Sequence, residues 1–153
     1  MNGVSAKSII AGLLAALGAA TTLQAQLEIG TWRREATESG PAMTLDIQAC
    51  CSGGRRLTYH LQINGAETTL TVETQLDGND APVLMGGQQS GETMAIKRID
   101  AFHATAVVKM NGQVIGTSTS TLSADGKTLT VHNTFAEGVP QRPGSATEVW
   151  VKQ

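Results

Sequence analysis

Aromatic rings are scarce in this chain. Trp32, Tyr59, Phe102, Phe135 and Trp150 are all it has in 153 residues. Most of them belong by default in a core, where large rings bury best. Clustered positive charge is also missing. The chain carries 11 Lys and Arg against 13 Asp and Glu, and Arg33-Arg34 and Arg55-Arg56 are isolated pairs that read as solvated. A nucleic-acid partner, which needs clustered bases to neutralise phosphates, is not expected. Cysteine is limited to the adjacent pair Cys50 and Cys51. Zinc wants four tetrahedral ligands, and His60 is the single histidine expected near the pair, so neither a metal nor another cofactor is expected. No nucleophile, base and orienting group fall together, so nothing argues for an enzyme or for catalytic residues.

One apolar run is present, at the start of the chain. Lys7 precedes Ile9 to Ala20, an apolar stretch of 12 residues, and Ala25 offers a small residue for cleavage before Gln26. That is the pattern of a secretory signal peptide over residues 1–25. A membrane span needs about 20 apolar residues, and Thr21, Thr22, Gln24 and Gln26 end this run first. Residues 26–153 are then one exported domain, periplasmic or secreted, with no membrane contact expected once the signal is removed. Losing residues 1–25 removes one base and no acid, so 10 bases stand against 13 acids, a net charge of −3.

After residue 26 no convincing helical period remains. The alternation is period two: Met43, Leu45 and Ile47; Leu57, Tyr59, Leu61 and Ile63; Leu70 and Val72. Each set reads as a half-buried strand. Thr, a strand former, is dense from 117 to 134. Strands are expected over 27–34, 43–50, 56–63, 67–76, 82–85, 92–99, 102–110, 113–122, 128–135 and 146–152, the fifth being short. Turns are expected at Ser52-Gly53-Gly54, Asn64-Gly65, Asp77 to Asp80, Gly86-Gly87, Asn111-Gly112 and Asp125-Gly126, where Gly and Asn supply positive φ. Short connections make neighbouring strands antiparallel, and closure removes exposed edges. The fold class is therefore all-β, an antiparallel up-and-down meander of eight to ten strands closed into a barrel.

Two turns predict a register. A two-residue loop at Asn111-Gly112 sets Val108 opposite Ile115. A three-residue loop at Ala124 to Gly126 sets Thr121 opposite Leu129. Together they place Phe102, Ala104, Ala106, Val108, Ile115, Thr117, Thr119, Thr121, Leu129, Val131 and Phe135 on one inward face. A one-residue slip would reverse it. The face is mostly small and partly polar, which suggests an unfilled interior.

Gly30-Thr31-Trp32 on the first strand, the long meander and a last strand ending Glu148 to Gln153 resemble the calycin superfamily, which includes lipocalins and fatty-acid-binding proteins. Lys97 to Asp100 and Ser123 to Val131 are similar to runs in small secreted bacterial lipocalin-like proteins. The resemblance implies a lipocalin-like barrel with a cavity for a small apolar or amphipathic ligand, closed by Gly30 and Trp32 under a basic side chain from the last strand, here Lys152. The loop from Glu35 to Ala42 is too short for lid helices.

Candidate ligand contacts are Tyr59, Phe102, Val108, Ile115, Thr117, Thr119, Thr121 and Phe135. Cys50 and Cys51 are either a vicinal disulfide, favoured by an oxidising compartment, or two thiols, favoured by the strain of bridging neighbours. A bridge there is expected to stiffen the barrel mouth. Asp46 and His60 read as a surface cross-strand pair, and His103 and His132 as solvated. The leading function is binding of a small molecule inside the barrel. The rival is a structural or protein-interaction module with a filled barrel, meeting its partner near Cys50 to Gly54. The oligomeric state is not legible. N-terminal sequencing of the exported protein is expected to read from Gln26.

Overall fold

Alternating sequence becomes alternating strand. The computed structural model describes residues 26–38, 40–139 and 144–153; the expected signal over 1–25 lies outside them. Ten strands follow in order: β1 Gly30–Arg34, β2 Met43–Cys50, β3 Gly54–Ile63, β4 Ala66–Thr74, β5 Asp77–Met85, β6 Gln88–Arg98, β7 His103–Met110, β8 Gln113–Leu122, β9 Thr128–Phe135 and β10 Ser145–Lys152. Each pairs antiparallel with its neighbours, and β10 returns to β1, closing the barrel. The only helical element among the described residues is a single turn over Cys51–Gly53.

Three hairpins at one end are two-residue turns with positive φ at both central residues: Asn64-Gly65, Gly86-Gly87 and Asn111-Gly112. That backbone twist matches the strand twist, which is why Asn-Gly and Gly-Gly stand there. The loop 35–42 and the connection from β9 to β10 share this end.

The expected turn at Asp77 to Asp80 is instead the start of β5, so the strand is longer than 82–85. The chain reverses earlier. Leu76 takes φ +59 and donates its N–H to Thr74 Oγ1 at 3.0 Å. Asp77 Oδ1 then accepts the Asn79 N–H at 3.0 Å, an Asx turn within a stretch where the register with β6 shifts.

The phase of β8 is also corrected. Met110 faces Gln113 as expected, but Val108 faces Gly116, so Ile115 is an extra residue, a β-bulge. Past the bulge Thr121 faces Thr130 and Leu122 faces Leu129. Thr117, Thr119 and Thr121 therefore point outward and are exposed, while Ser118 and Ser120 point inward. The turn after β8 is one residue off the expected register in the compensating sense, so β9 keeps its inward residues Leu129, Val131 and Phe135.

The floor is a cluster of Trp32, Leu45, Ile47, Leu122 and Trp150, with Leu27 and Phe102 packed against it. Trp32 is fully buried, and its Nε1 donates to the Glu28 carbonyl at 2.8 Å. Lys152 Nζ lies 5.4 Å from the Trp32 ring centroid and donates to the Leu27 carbonyl at 2.7 Å. A Cβ on Gly30 would stand 2.7 Å from Lys152 Cε, and Gly30 takes φ +140. Glycine is needed there so that the lysine can cross to the ring. Trp32→Ala should cost about 3–5 kcal/mol through the cavity it leaves. Thr119→Ala, on the outer face, should cost less than about 0.5 kcal/mol. Urea unfolding of both variants checks the floor and the corrected phase together.

Candidate ligand cavity

Side-chain size decides where the barrel is hollow. β2, β3 and β4 contribute Leu45, Ile47, Leu57, Tyr59, Leu61 and Leu70 to the interior, whereas β7 and β8 contribute Ala104, Ala106, Ser118 and Ser120. The large wall does not reach across to the small one. A cavity of about 350 Å³ remains, at the lower end of ordinary ligand pockets, roughly 300–1,000 Å³. Trp150, Met94, Ile96, Val108, Val131 and Phe135 complete its apolar lining. The barrel is not filled. A larger but open depression of about 410 Å³ lies outside, near the rim of β2 to β4, lined by Arg33, His60, Gln62 and Glu67 among others; its polar, open shape encloses little.

Of the expected ligand contacts, Tyr59, Val108 and Phe135 line the cavity. Phe102 packs instead into the floor. Ile115 is consumed by the bulge, and its carbonyl accepts the Ala136 N–H at 3.0 Å. Thr117, Thr119 and Thr121 are outside. Gly116 takes the inward position instead. A Cβ there would meet Phe135 Cδ1 at 3.3 Å, so its missing side chain makes room for that ring.

Uncharged polar groups gather on one side. Ser118 and Asn133 are cross-strand partners, both facing the lumen, and neither side chain hydrogen-bonds a described residue. Ser120 Oγ donates to the Ala104 carbonyl at 3.3 Å. Across the lumen Tyr59 meets Trp150 edge-on, with centroids 6.0 Å apart. Burial, reinforced by the Glu148 carboxylate, pushes the Tyr59 phenol up to about 12. It therefore remains a neutral hydroxyl at ordinary pH.

The arginine pairs read as solvated are split by the strand pleat. Arg33 and Arg56 face out, but Arg34 and Arg55 are buried, 4% and 6% exposed. Towards the floor, Glu28 Oε1 accepts from Arg55 Nε at 2.9 Å and from Arg98. Arg55 also donates to the Gly54 carbonyl at 2.9 Å. Nearer the open end, Arg34 pairs with Glu148, donates to the Pro41 carbonyl at 2.7 Å and stacks 5.6 Å from the Trp150 ring centroid. Each buried charge thus has an opposite charge, as burial requires. The signal was present in the sequence: Trp32 inward puts Arg34 inward two residues on, and Leu57 does the same for Arg55 two residues back.

Cys50 and Cys51 are joined as a vicinal disulfide. Cys51, Ser52 and Gly53 all take positive φ, +48, +56 and +100. The bridge sits at the floor end of the barrel, with the ends of β2 and β3, and not at the hairpin-rimmed mouth as expected. On the outer surface His60 Nε2 and Asp46 Oδ2 are 2.9 Å apart, and Thr31 Oγ1 donates to Asp46 at 2.6 Å. That hydroxyl holds the Asp46 carboxyl below its usual value, with His60 contributing less. This is the surface pair the sequence suggested. His103 and His132 are exposed.

The fold and the site define a class: a closed, ten-stranded antiparallel β-barrel around an apolar lumen, compatible with a calycin-like fold. No protein-family model matches the chain, and no curated protein does.

Tyr59 is the single tyrosine in the chain, so its ionisation can be followed alone by ultraviolet absorbance. The midpoint is expected near 12 in the folded protein, against about 10 once unfolded. Because the folded value is raised, the associated stability is complete below the unfolded value and is lost as pH rises through the folded one.

Proposed function

We propose that the protein is an exported binding protein that holds a small apolar or amphipathic molecule in its barrel. The observation that carries this reading is the cavity of about 350 Å³ walled by Leu, Ile, Val, Ala and aromatic side chains. An apolar molecule entering it exchanges water for apolar surface, at roughly 25 cal/mol per Å² buried. The closed floor and small inner wall leave a space that self-packing does not fill. Export is supported by the apolar run ahead of Ala25, and the disulfide suits an oxidising compartment. Leu27 and Glu28 already serve the barrel, and cleavage before Gln26 keeps these contacts. The rival reading, an interaction module with a filled barrel, is weakened by the same cavity.

The purified protein is expected to bind a fluorescent lipid probe saturably. Ala106→Phe, which places a ring in the lumen, should abolish that binding and leave the thermal unfolding transition cooperative. Equal probe binding by the two proteins would place the probe elsewhere and remove the support for a lumen site.

A further inference from the structure

We infer that the lumen ligand is uncharged at its polar end, a hydroxyl, carbonyl or amide, and that Ser118 and Asn133 bind that group. The inference rests on the lumen-binding reading and specifies the ligand class.

A carboxylate entering an apolar lumen needs a cation to offset its lost hydration. The guanidiniums facing the lumen at its floor end are Arg55 and Arg98, and Glu28 Oε1 accepts from both of them. The protein's own carboxylate thus takes the place that a ligand carboxylate would need. Arg98, whose side chain is 30% exposed, also meets solvent. At the other charged position Arg34 is matched to Glu148, a residue that lines the cavity, so this pair offers a ligand anion no unmatched cation.

Ser118 and Asn133 face each other across β8 and β9 on the small-residue wall. Between them they present a hydroxyl and an amide, so both donors and acceptors are available. Neither makes a side-chain hydrogen bond to a described residue. Two half-buried, uncommitted polar side chains on one wall of an apolar cavity supply the few placed polar groups that orient a ligand. Tyr59, held neutral opposite Trp150, can add a third neutral contact.

Isothermal titration calorimetry near pH 7, with decan-1-ol against decanoate and 1-naphthol against 1-naphthoate, tests this on the purified exported protein. The alcohols are expected to bind, and each carboxylate to bind at least about tenfold more weakly. Ser118→Ala combined with Asn133→Leu should weaken alcohol binding about tenfold or more. Glu28→Gln, which removes the carboxylate between the guanidiniums, should raise decanoate affinity. Carboxylates binding as tightly as their alcohols, or a double variant with unchanged alcohol affinity, overturns the inference while leaving lumen binding intact. No binding by either pair, with the lipid probe also unbound, overturns the proposed function as well.

Discussion

The barrel closes on two facing residue pairs. β1 meets β10 only at Trp32 with Lys152 and at Arg33 with Val151, so this seam is held by few ladder bonds. Side chains reinforce it. Lys152 crosses Gly30 to reach the Trp32 ring, Arg34 ties to Glu148, and the Gln153 N–H donates to the Thr31 carbonyl at 2.9 Å. Without the seam the sheet would expose the edges of β1 and β10, which invite pairing with other chains. The floor, the lumen and the buried ion pairs all exist only because the sheet is closed. The first strand and the last therefore carry a concentration of special residues that the middle of the meander lacks.

A closed sheet alone does not make a cavity; the choice of side chains does. The wall from β2 to β4 is built mainly of Leu, Ile and Tyr, and the wall from β7 to β8 mainly of Ala and Ser, with Val108 towards the mouth. Deleting volume on one wall leaves space that the opposite wall cannot fill without leaving its rotamers. The buried charges frame that space: one cluster at Glu28 towards the floor and one at Glu148 nearer the mouth. Apolar lining with few placed polar groups is the usual composition of a small-molecule site.

Much of this was legible in the sequence. Period-two alternation and Asn-Gly turns suffice for an antiparallel meander, because both act over a few residues. The inward faces of β7 and β9 follow from the same local rules. β8 defeats them, since a bulge is one unpaired residue with no strong local signature. Ile115 looks like any other core residue until its partners are known. The error it causes reverses Thr117, Thr119 and Thr121 with Ser118 and Ser120, and Ser and Thr are too alike in polarity to reveal the slip. The buried arginines were hidden differently. A charge pair reads as solvated from composition, and only the pleat shows that one member must turn inward. Glu28 falls inside the expected strand 27–34, on the face of Trp32, but precedes β1 in the structure, and nothing local in the sequence pairs it with Arg55 and Arg98.

The lumen is open between the small wall of Ala104, Ala106 and Ser118 and the ring of Trp150. Xenon enters apolar cavities and scatters strongly, so a crystal pressurised with xenon measures this directly. Density for xenon is expected inside the barrel, in contact with those residues. A lumen without xenon, with Tyr59 or the leucines of β3 repacked against β8, would contradict it.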